Sequence, residues 1–342
     1  MREDWPRSGP GLDLDATIVE GLIGPLFPGC RITEMVPVAG GLTNTNVRLR
    51  LAGRTPPILL RFYQHGGDLA QKEMALCRMV EKQVQVPSFL HFAPENPVTG
   101  HAFAVMGWVE GMPLDAALPR LDHSALARLG DAIGRTLAAI HGFAYEHFGF
   151  FNADLKVDAP IDLGRSGLVA YLHQCLVEGL GGARLGAELT AAVLAFAARE
   201  GHRVEEWQQR ACLVHGDFNP SNILIRQRAN GSAWELAAII DWEFAFAGAP
   251  GFDFGILLRP PLATSAPFIA ALEQGYRAAG GDMPADWQRI ARITDLFSFA
   301  DVLHHPETSD AVVEDAKCVI RGLIAVTPKP NRPKIPQPKP MR

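Results

Sequence analysis

Two carboxylates and one carboxamide stand next to short apolar runs, where side chains from separate strands can meet. Asp217 and Asn222 lie five residues apart in a polar segment between two apolar runs, and Asp241 follows the apolar run 236–240. Transfer of a phosphoryl group needs a carboxylate that orients the attacking hydroxyl and accepts its proton. It also needs oxygen ligands for the metal ion on the phosphates. These three side chains are of the types that this chemistry requires.

The segments that carry these side chains resemble the aminoglycoside phosphotransferase and choline kinase family, whose members are small-molecule relatives of the protein kinases. The match consists of H-x-D-x-x-x-x-N at 215–222, followed by Ile-Ile-Asp-Trp-Glu at 239–243. The resemblance implies that Asp217 is the catalytic base and that Asn222 is a metal ligand. Asp241 stands in the place of the Asp of the protein-kinase D-F-G triplet, which implies that it is the principal metal ligand.

Two departures from the protein kinases favour the small-molecule branch of this family. Gly216 replaces the Arg of their H-R-D motif, and Trp242-Glu243 replaces the Phe-Gly of D-F-G. The alternative is that the three polar side chains are only turn and strand-end residues, where Asp and Asn are common because they hydrogen-bond to the local backbone. The five-residue spacing and the second acid favour the catalytic interpretation. For His215 we expect a role in orienting the loop through hydrogen bonds.

A glycine-containing segment near the start of the chain is a candidate for covering nucleotide phosphates. Gly40, Gly41, Thr43 and Asn44 lie between two predicted strands, where glycines let the backbone approach phosphate oxygens and Thr or Asn adds donors. The segment lacks the G-x-G-x-x-G pattern, so the residues alone also allow an ordinary hairpin. It resembles the Gly-Gly-Leu-Ser/Thr-Asn loop of the same family, which implies nucleotide binding by these four residues.

A lone cation, Arg61, lies in the otherwise apolar run 58–63. A cation flanked by apolar residues must find an anion, which here is an ATP phosphate or Glu73, twelve residues further on. In the resemblance Arg61 stands where protein kinases carry their third-strand Lys, so Glu73 would hold Arg61 as their Lys–Glu pair is held. A surface Arg and a solvated Glu are the alternative, and the setting favours the nucleotide site.

Two further segments match the family without adding a catalytic side chain. Residues 103–111 resemble the hinge of the family, which implies that adenine pairs there with backbone groups near Gly107 and Val109. Asp253, in the segment 251–255, matches a later family Asp that braces the catalytic loop. We therefore predict a structural role for Asp253.

The elements that must position these residues fall into two groups. Up to Gly107, apolar runs alternate with Gly and Pro turns around one long helix, which predicts a small sheet-rich lobe; later residues show mainly helical periodicity. Together with the resemblance, this layout predicts an α+β, bilobal, protein-kinase-like fold. The expected parts are an N-terminal lobe 1–107, a hinge 108–111, a helical lobe 112–326 and a flexible tail 327–342. The predicted helices are 15–26, 68–83, 122–141, 167–178, 187–209, 266–279 and 287–304. The predicted strands are 31–38, 46–52, 58–63, 86–92, 102–109, 212–215, 223–226 and 236–240.

Length and composition restrict the class of protein. With 342 residues, 48% of them hydrophobic, the chain can bury a large core in two lobes. Its apolar runs are too short to cross a bilayer, and Met1–Pro10 has no apolar signal core, so we expect neither a membrane protein nor a secreted one. Its five cysteines form no C-x-x-C pair, which fits a reducing, cytoplasmic environment.

Charge is unevenly distributed along the chain. The net charge is −5, but residues 327–342 hold five basic residues and no acid, so the remainder carries −10. An acidic body argues against a nucleic-acid partner and for a cationic ligand. The tail alternates Pro with Lys and Arg, which predicts an extended segment.

The motifs and the resemblance together imply an ATP- and Mg²⁺-dependent kinase that phosphorylates a hydroxyl group of a small molecule. An aminoglycoside or similar antibiotic is the expected acceptor, because the family and the acidic body both suit a polycation. A metabolic alcohol such as choline, homoserine or a sugar is the alternative, which the Gly-Gly-Leu-Thr-Asn loop and Arg61 favour. A non-catalytic nucleotide-binding protein is disfavoured by the intact base and metal ligands, and a protein kinase by the missing Arg of H-R-D and the lack of an A-P-E segment. We expect acceptor contacts in 144–165 and the later helices, although a solvated face is the commoner fate of their acids. Those acids are Asp154, Asp158, Asp162, Asp286, Asp295, Asp301, Glu307 and Asp310.

Overall fold

The computed structural model describes residues 12, 14–38, 44–64, 66–96, 98–228, 231 and 233–325. The first lobe contains two helices, α1 (Ala16–Ile23) and α2 (Gly67–Val80). Its strands are β1 (Ile32–Pro37), β2 (Thr45–Leu51), β3 (Ile58–Tyr63), β4 (Phe89–Ala93) and β5 (Ala102–Gly107). They form one antiparallel sheet in the order β1-β2-β3-β5-β4.

Strand β3 is covered on both faces, which explains its nearly continuous apolar sequence. Leu60 and Phe62 pack into the core beneath α1, whereas Tyr63 packs with Ala70 of α2 on the opposite face. Because side chains alternate along a strand, Arg61 shares the Tyr63 face. The pleat therefore directs the lone cation of this strand toward α2.

The second lobe is mainly helical and surrounds two small antiparallel sheets. Its helices are α3 (Leu114–Ala117), α4 (His123–His141), α5 (Arg165–His173), α6 (Gly181–Leu185), α7 (Ala187–Glu200), α8 (Gly251–Leu257), α9 (Ala266–Ala278), α10 (Trp287–Thr294), α11 (Leu296–His304) and α12 (Asp310–Ala325). Its strands are β6 (Met112–Pro113), β7 (Ala144–Tyr145), β8 (Gly149–Phe151), β9 (Val157–Pro160), β10 (Ala211–Val214), β11 (Ile223–Gln227), β12 (Trp234–Ile239) and β13 (Phe246–Gly248). The strand orders are β12-β11-β6 and β7-β10-β13-β8-β9.

These two sheets place the ends of three strands beside one another. Strand β11 pairs with β12 so that Ile223 lies opposite Ile239, and β10 pairs with β13 so that Val214 lies opposite Phe246. The polar segment between β10 and β11 therefore begins at one sheet and ends at the other. The residue that follows β12 comes back to this same segment.

The α+β fold predicted from the sequence is confirmed, and so are most of its longer elements. The helix predicted over 187–209 is wrong at its end, because α7 stops at Glu200 and 201–207 form a 3-10 helix. The helix predicted over 287–304 is two helices that meet at Asp295, where ψ is −13°. Five strands of the second lobe were not predicted, since at two to four residues each they are too short to show a period: β6, β7, β8, β9 and β13.

Among the described residues no helix is both long and apolar enough to cross a bilayer. Residues 108–111 connect β5 to β6, and the Trp108 N–H donates to the Pro57 carbonyl at 3.2 Å. The tail segment 327–342, which we expected to be flexible, lies outside the described residues.

Candidate active site

One buried carboxylate accepts hydrogen bonds from the backbone of the segment between β10 and β11. Asp253 is completely buried in α8; its Oδ2 accepts from the backbone N–H of His215 and its Oδ1 from that of Gly216, both at 2.9 Å. His141 also lies 3.2 Å from Asp253 Oδ2. Since both carboxylate oxygens are engaged by the loop, Asp253 fixes its backbone, in line with the structural role predicted for it.

Asp217 projects from this loop and is oriented by two amides. Asn219 Nδ2 donates to Asp217 Oδ1 at 2.7 Å, and Asn222 Nδ2 donates to Oδ2 at 3.0 Å. Asn222 Nδ2 also donates to the Asp217 carbonyl at 2.9 Å, and the Asn222 side chain is buried. Because its nitrogen is committed to Asp217, the amide oxygen of Asn222 is the atom available to a metal ion.

Gly216 is required by the backbone that packs against it. Its φ is +77°, and a Cβ atom there would overlap the carbonyl oxygen of Phe244. This close approach explains why a residue with a side chain, such as the Arg of the protein-kinase motif, is absent from the position.

Replacing Gly216 by Ala is expected to lower the free energy of unfolding by at least about 1–2 kcal/mol, because the left-handed backbone disfavours a Cβ. It should also lower kcat by about tenfold or more, since the overlap with Phe244 displaces Asp217 from its position. The matched control is Gly280→Ala, where φ is +88° but nothing lies within 4 Å of the added Cβ. Equal kcat values for the two variants, by steady-state kinetics, would contradict this role of Gly216.

The turn after β12 brings the second carboxylate to the same loop. The Ile240 N–H donates to the Asn222 carbonyl, and His215 Nε2 lies within hydrogen-bond distance of the Ile240 carbonyl, both at 3.0 Å. Asp241 follows directly and adopts φ 70° and ψ 61°, a left-handed conformation that Asp tolerates better than most residues. The next side chain, Trp242, is fully buried and anchors the turn in the core of the second lobe.

Arg61 crosses from the first lobe to this turn. Its Nη2 donates to Asp241 Oδ1 at 2.6 Å, and its Nη1 lies 3.5 Å from Glu73 Oε1. Burial alone would lower the pKa of the Arg61 guanidinium, but the charges of Glu73 and Asp241 raise it well above its usual range. The guanidinium therefore stays charged and holds the two carboxylates together.

Glu73 has a second, tighter partner that the sequence did not suggest. Glu73 is 1% exposed, and its Oε2 accepts from the Tyr63 hydroxyl at 2.7 Å. The backbone N–H of Trp242 also donates to it. Burial raises the pKa of the Glu73 carboxyl, although Arg61 and the Tyr63 hydrogen bond lower it. Tyr63 of β3 thus holds the glutamate of α2 in place.

Replacing Tyr63 by Phe is expected to raise the KM for ATP about three- to tenfold, because a hydrogen bond to a buried charged group is lost and Glu73 no longer fixes Arg61. The effect on kcat should be smaller. The control is Tyr145→Phe, since the Tyr145 hydroxyl has only a weak contact, 3.9 Å to the sulfur of Met79. Steady-state kinetics with ATP as the varied substrate measure both. An unchanged KM for ATP in the Tyr63 variant would contradict this role of Tyr63.

Glu243 joins the two lobes at the other end of the same turn. It is 8% exposed; its Oε2 accepts from Asn44 Nδ2 at 3.2 Å and lies 4.0 Å from Arg61 Nη2. Burial and the neighbouring charge of Asp241 raise the pKa of Glu243 to about 7, although Arg61 opposes the shift. Burial also lowers the pKa of Lys72, although the charges of Glu243 and Glu73 oppose this shift. Glu243 lies within the motif at 239–243, but no role was predicted for it.

This raised pKa predicts a dependence of stability on pH in the metal-free protein. The folded state binds the Glu243 proton more tightly than an unfolded chain, where the pKa is near its ordinary value of 4.5. The free energy of unfolding should therefore fall as pH rises from about 5 to 8, by up to about 3 kcal/mol from this group. Glu243→Gln should remove that part of the decline. Denaturation at pH 5, 6, 7 and 8 measures it; parallel curves for both proteins would contradict the prediction.

The structure describes only some of the other residues that were predicted to bind the nucleotide. Gly40, Gly41 and Thr43 lie outside the described residues, whereas Asn44 is buried against Glu243. The Gly107 N–H donates to the Ser88 carbonyl at 2.9 Å. Val109 lies in the segment between β5 and β6. The adenine contact proposed for Gly107 therefore rests on its carbonyl oxygen or on its neighbours.

The donor set of Asn222 and Asp241 suits Mg²⁺, a hard cation that usually takes one or two protein carboxylates and completes its shell with water and phosphate oxygens. Among the described residues, no three His, Cys, Asp or Glu side chains are arranged as a metal cluster. One carboxylate and one amide supply fewer protein ligands than such a cluster. They fit an ion whose remaining ligands come from a nucleotide and water.

The chain matches one family of known proteins over most of its length. The model of a family described as the phosphotransferase enzyme family matches residues 34–293. The chain is 25% identical over 249 residues to acyl-CoA dehydrogenase family member 10 of Mus musculus; the match covers 69% of this chain but 21% of that protein. The chain thus spans about a fifth of the length of that relative.

Solved structures share the fold. The aminoglycoside phosphotransferase APH(4)-Ia superposes with a TM-score of 0.64 at 18% identity, covering 91% of this chain and 99% of that one. A thermostable mutant of the same enzyme, in a ternary complex with AMP-PNP and hygromycin B, gives a TM-score of 0.62 at 19% identity over 90% and 98%. A GDP and kanamycin complex of APH(2")-IIia gives 0.65 at 17% identity over 90% and 98%. The fold is therefore the protein-kinase-like one predicted.

Proposed function

This chain belongs to the phosphotransferase enzyme family, and we propose that it transfers the γ-phosphoryl group of ATP to a hydroxyl group of a small molecule with the help of Mg²⁺. One observation carries the proposal. Three consecutive residues of one turn, 241–243, hydrogen-bond to Arg61, Glu73 and Asn44 of the first lobe. The same turn is tied to the loop that bears Asp217. These contacts support a site in which the proposed base, metal ligands and phosphate-binding cation act together.

In the proposed reaction Asp217 orients the acceptor hydroxyl and takes its proton as the oxygen attacks the γ-phosphorus. The new bond joins the acceptor oxygen to phosphorus, and the bond to the β–γ bridging oxygen breaks, so that ADP leaves with the electron pair. Asn219 and Asn222 aim the Asp217 carboxylate through their amide nitrogens. Fixing that carboxylate in advance removes a large part of the entropic cost of the step.

Asn222 and Asp241 would hold the Mg²⁺, which when bound neutralises charge on the phosphates. Arg61 now donates to Asp241, and in the working complex we propose that its guanidinium turns to the non-transferred phosphates. Glu73 and Tyr63 keep Arg61 within reach of both positions.

The proposed acceptor is a small-molecule alcohol of one of two classes. Hygromycin B and kanamycin are named in the complexes of two structural neighbours, which supports an aminoglycoside or similar antibiotic and a role in drug resistance. A metabolic alcohol such as choline, homoserine or a sugar is the second class. We also propose a cytoplasmic location, because all five cysteines are free thiols.

An ADP-release assay with a panel of acceptors tests the proposal. The panel should contain aminoglycosides, choline, homoserine, simple sugars and diols, each with and without Mg²⁺. We expect Mg²⁺-dependent ADP release above the acceptor-free rate with at least one class. ATP binding without release for every member would favour a non-catalytic nucleotide-binding protein. Growth of a sensitive bacterium that expresses the chain, on each drug, separates antibiotic acceptors from the rest.

A further inference from the structure

Two phenylalanines stand exposed beside the catalytic loop. Phe150 is 55% exposed and Phe244 is 56% exposed, although the chain buries most of its other large aromatic side chains. Single exposed apolar residues are common on protein surfaces and need no explanation. These two differ because Phe244 contacts Gly216, the residue before the proposed base, through its backbone, and Phe150 is linked to Gly216 through the Phe246 ring.

Phe244 reaches the loop through its backbone. A Cβ atom at Gly216 would overlap the Phe244 carbonyl oxygen, so the two chain segments are in direct contact. Trp242, two residues earlier, is fully buried and fixes this turn. The Phe244 side chain is thus exposed on a turn whose backbone packs against the residue before Asp217.

Phe150 reaches the loop through a second ring. Its centroid lies 5.5 Å from that of Phe246, and Phe246 Cδ1 would be 3.4 Å from a Cβ atom at Gly216. Phe246 is itself buried and packs edge-on against Phe252 at 5.1 Å. Strand β8 holds the Phe150 backbone through the pairing of Gly149 with Ala247. Phe150 therefore packs on other aromatic side chains, in the segment 144–165 where acceptor contacts were expected.

Many of the acids that suggested a polycationic acceptor are already engaged within the chain. Asp286 pairs with Arg203 at 3.0 Å, and Asp295 forms two hydrogen bonds with Arg259 at 2.6 and 2.9 Å. Two others accept hydrogen bonds inside the fold, Asp162 from the Gly164 N–H and Asp301 from the Tyr171 hydroxyl. Four of the eight acids considered as acceptor contacts, Asp162, Asp286, Asp295 and Asp301, therefore already have partners within the fold.

We propose that Phe150 and Phe244 form the acceptor-binding surface, and that the acceptor is an alcohol with an apolar face, a hydrocarbon chain or ring next to its reactive hydroxyl. The inference rests on the proposed function, because it names the substrate class of that same site. Contact with the two rings would bury apolar surface on both partners and would hold the hydroxyl at Asp217.

A series of 1,2-diols from propane-1,2-diol to octane-1,2-diol tests the inference, since the hydroxyls stay constant while the chain grows. Titration calorimetry on the protein saturated with AMP-PNP and Mg²⁺ should show the affinity rising by about two- to fourfold for each added methylene. ADP release should rise in the same order in kcat/KM. Phe150→Ala and Phe244→Ala should each lower the affinity for octane-1,2-diol by about tenfold.

Val177→Ala and Leu90→Ala are the controls, because both residues are exposed and apolar but lie on other elements. They should leave the whole series unchanged. A flat diol series, tighter binding of kanamycin than of octane-1,2-diol, or phenylalanine variants that match the controls would overturn the inference. Absence of ADP release with every acceptor would count against the proposed function instead. Calorimetry measures binding of the diols to the two phenylalanines and does not depend on phosphoryl transfer.

Discussion

An Asp217→Asn protein is expected to transfer phosphoryl groups about 10³-fold more slowly than the wild type while it binds ATP with similar affinity. The amide is close in size to the carboxylate and can keep one of the hydrogen bonds with Asn219 and Asn222. It cannot accept the proton of the acceptor hydroxyl. The loss should therefore appear in kcat, measured by ADP release at saturating ATP.

The matched control for this prediction is Asp131→Asn, the same chemical change at an exposed aspartate on α4 that pairs with Arg135. It should leave kcat within about twofold of the wild type, since surface ion pairs contribute little. Unreduced transfer by the Asp217 variant, with ATP binding intact, would remove Asp217 as the base. The fold and the metal ligands would then stand, and another group would have to orient the hydroxyl.

An Asp241→Asn protein should show a second large loss, at least about 10²-fold in kcat/KM for ATP, because the charge that attracts the divalent ion is removed. Higher Mg²⁺ concentrations should recover part of the loss, which distinguishes weaker metal binding from a damaged base. Arg61 also loses its 2.6 Å partner, so the KM for ATP should change along with kcat.

Glu235→Gln controls for the Asp241 change, because Glu235 lies on β12, the strand that precedes Asp241, and pairs with Arg226 and Arg228 at the surface. Its kinetics and its Mg²⁺ dependence should match the wild type. The assignment of Asp241 as a metal ligand would be wrong if its Asn variant kept both the wild-type rate and the wild-type Mg²⁺ dependence.

Local sequence patterns predicted the parts of this fold that have a period or a fixed spacing. Strand β3 was predicted with its observed bounds, and the alternation of its side chains accounts for Arg61 facing α2. The carboxylate and amide of the loop were placed by the five-residue spacing between Asp217 and Asn222. Both signals are local, so one sequence was enough to read them.

The features that were missed depend on contacts between distant segments. Asn44 and Glu243 are 199 residues apart and meet only when the two lobes come together. Tyr63 resembles any aromatic residue of a buried strand until α2 places Glu73 above it. Likewise, nothing in the sequence distinguishes exposed Phe244 from its buried neighbour Phe246, because short strands and turns have no period.

A crystal structure with Mg²⁺ and a non-hydrolysable ATP analogue tests the central claim most directly. We predict that Asn222 Oδ1 and a carboxylate oxygen of Asp241 both bind the same ion at about 2.0–2.1 Å. Arg61 should then contact the phosphates, and Asp217 should face the open side of the γ-phosphate. An ion held by neither side chain, or a nucleotide bound away from the 241–243 turn, would contradict the account.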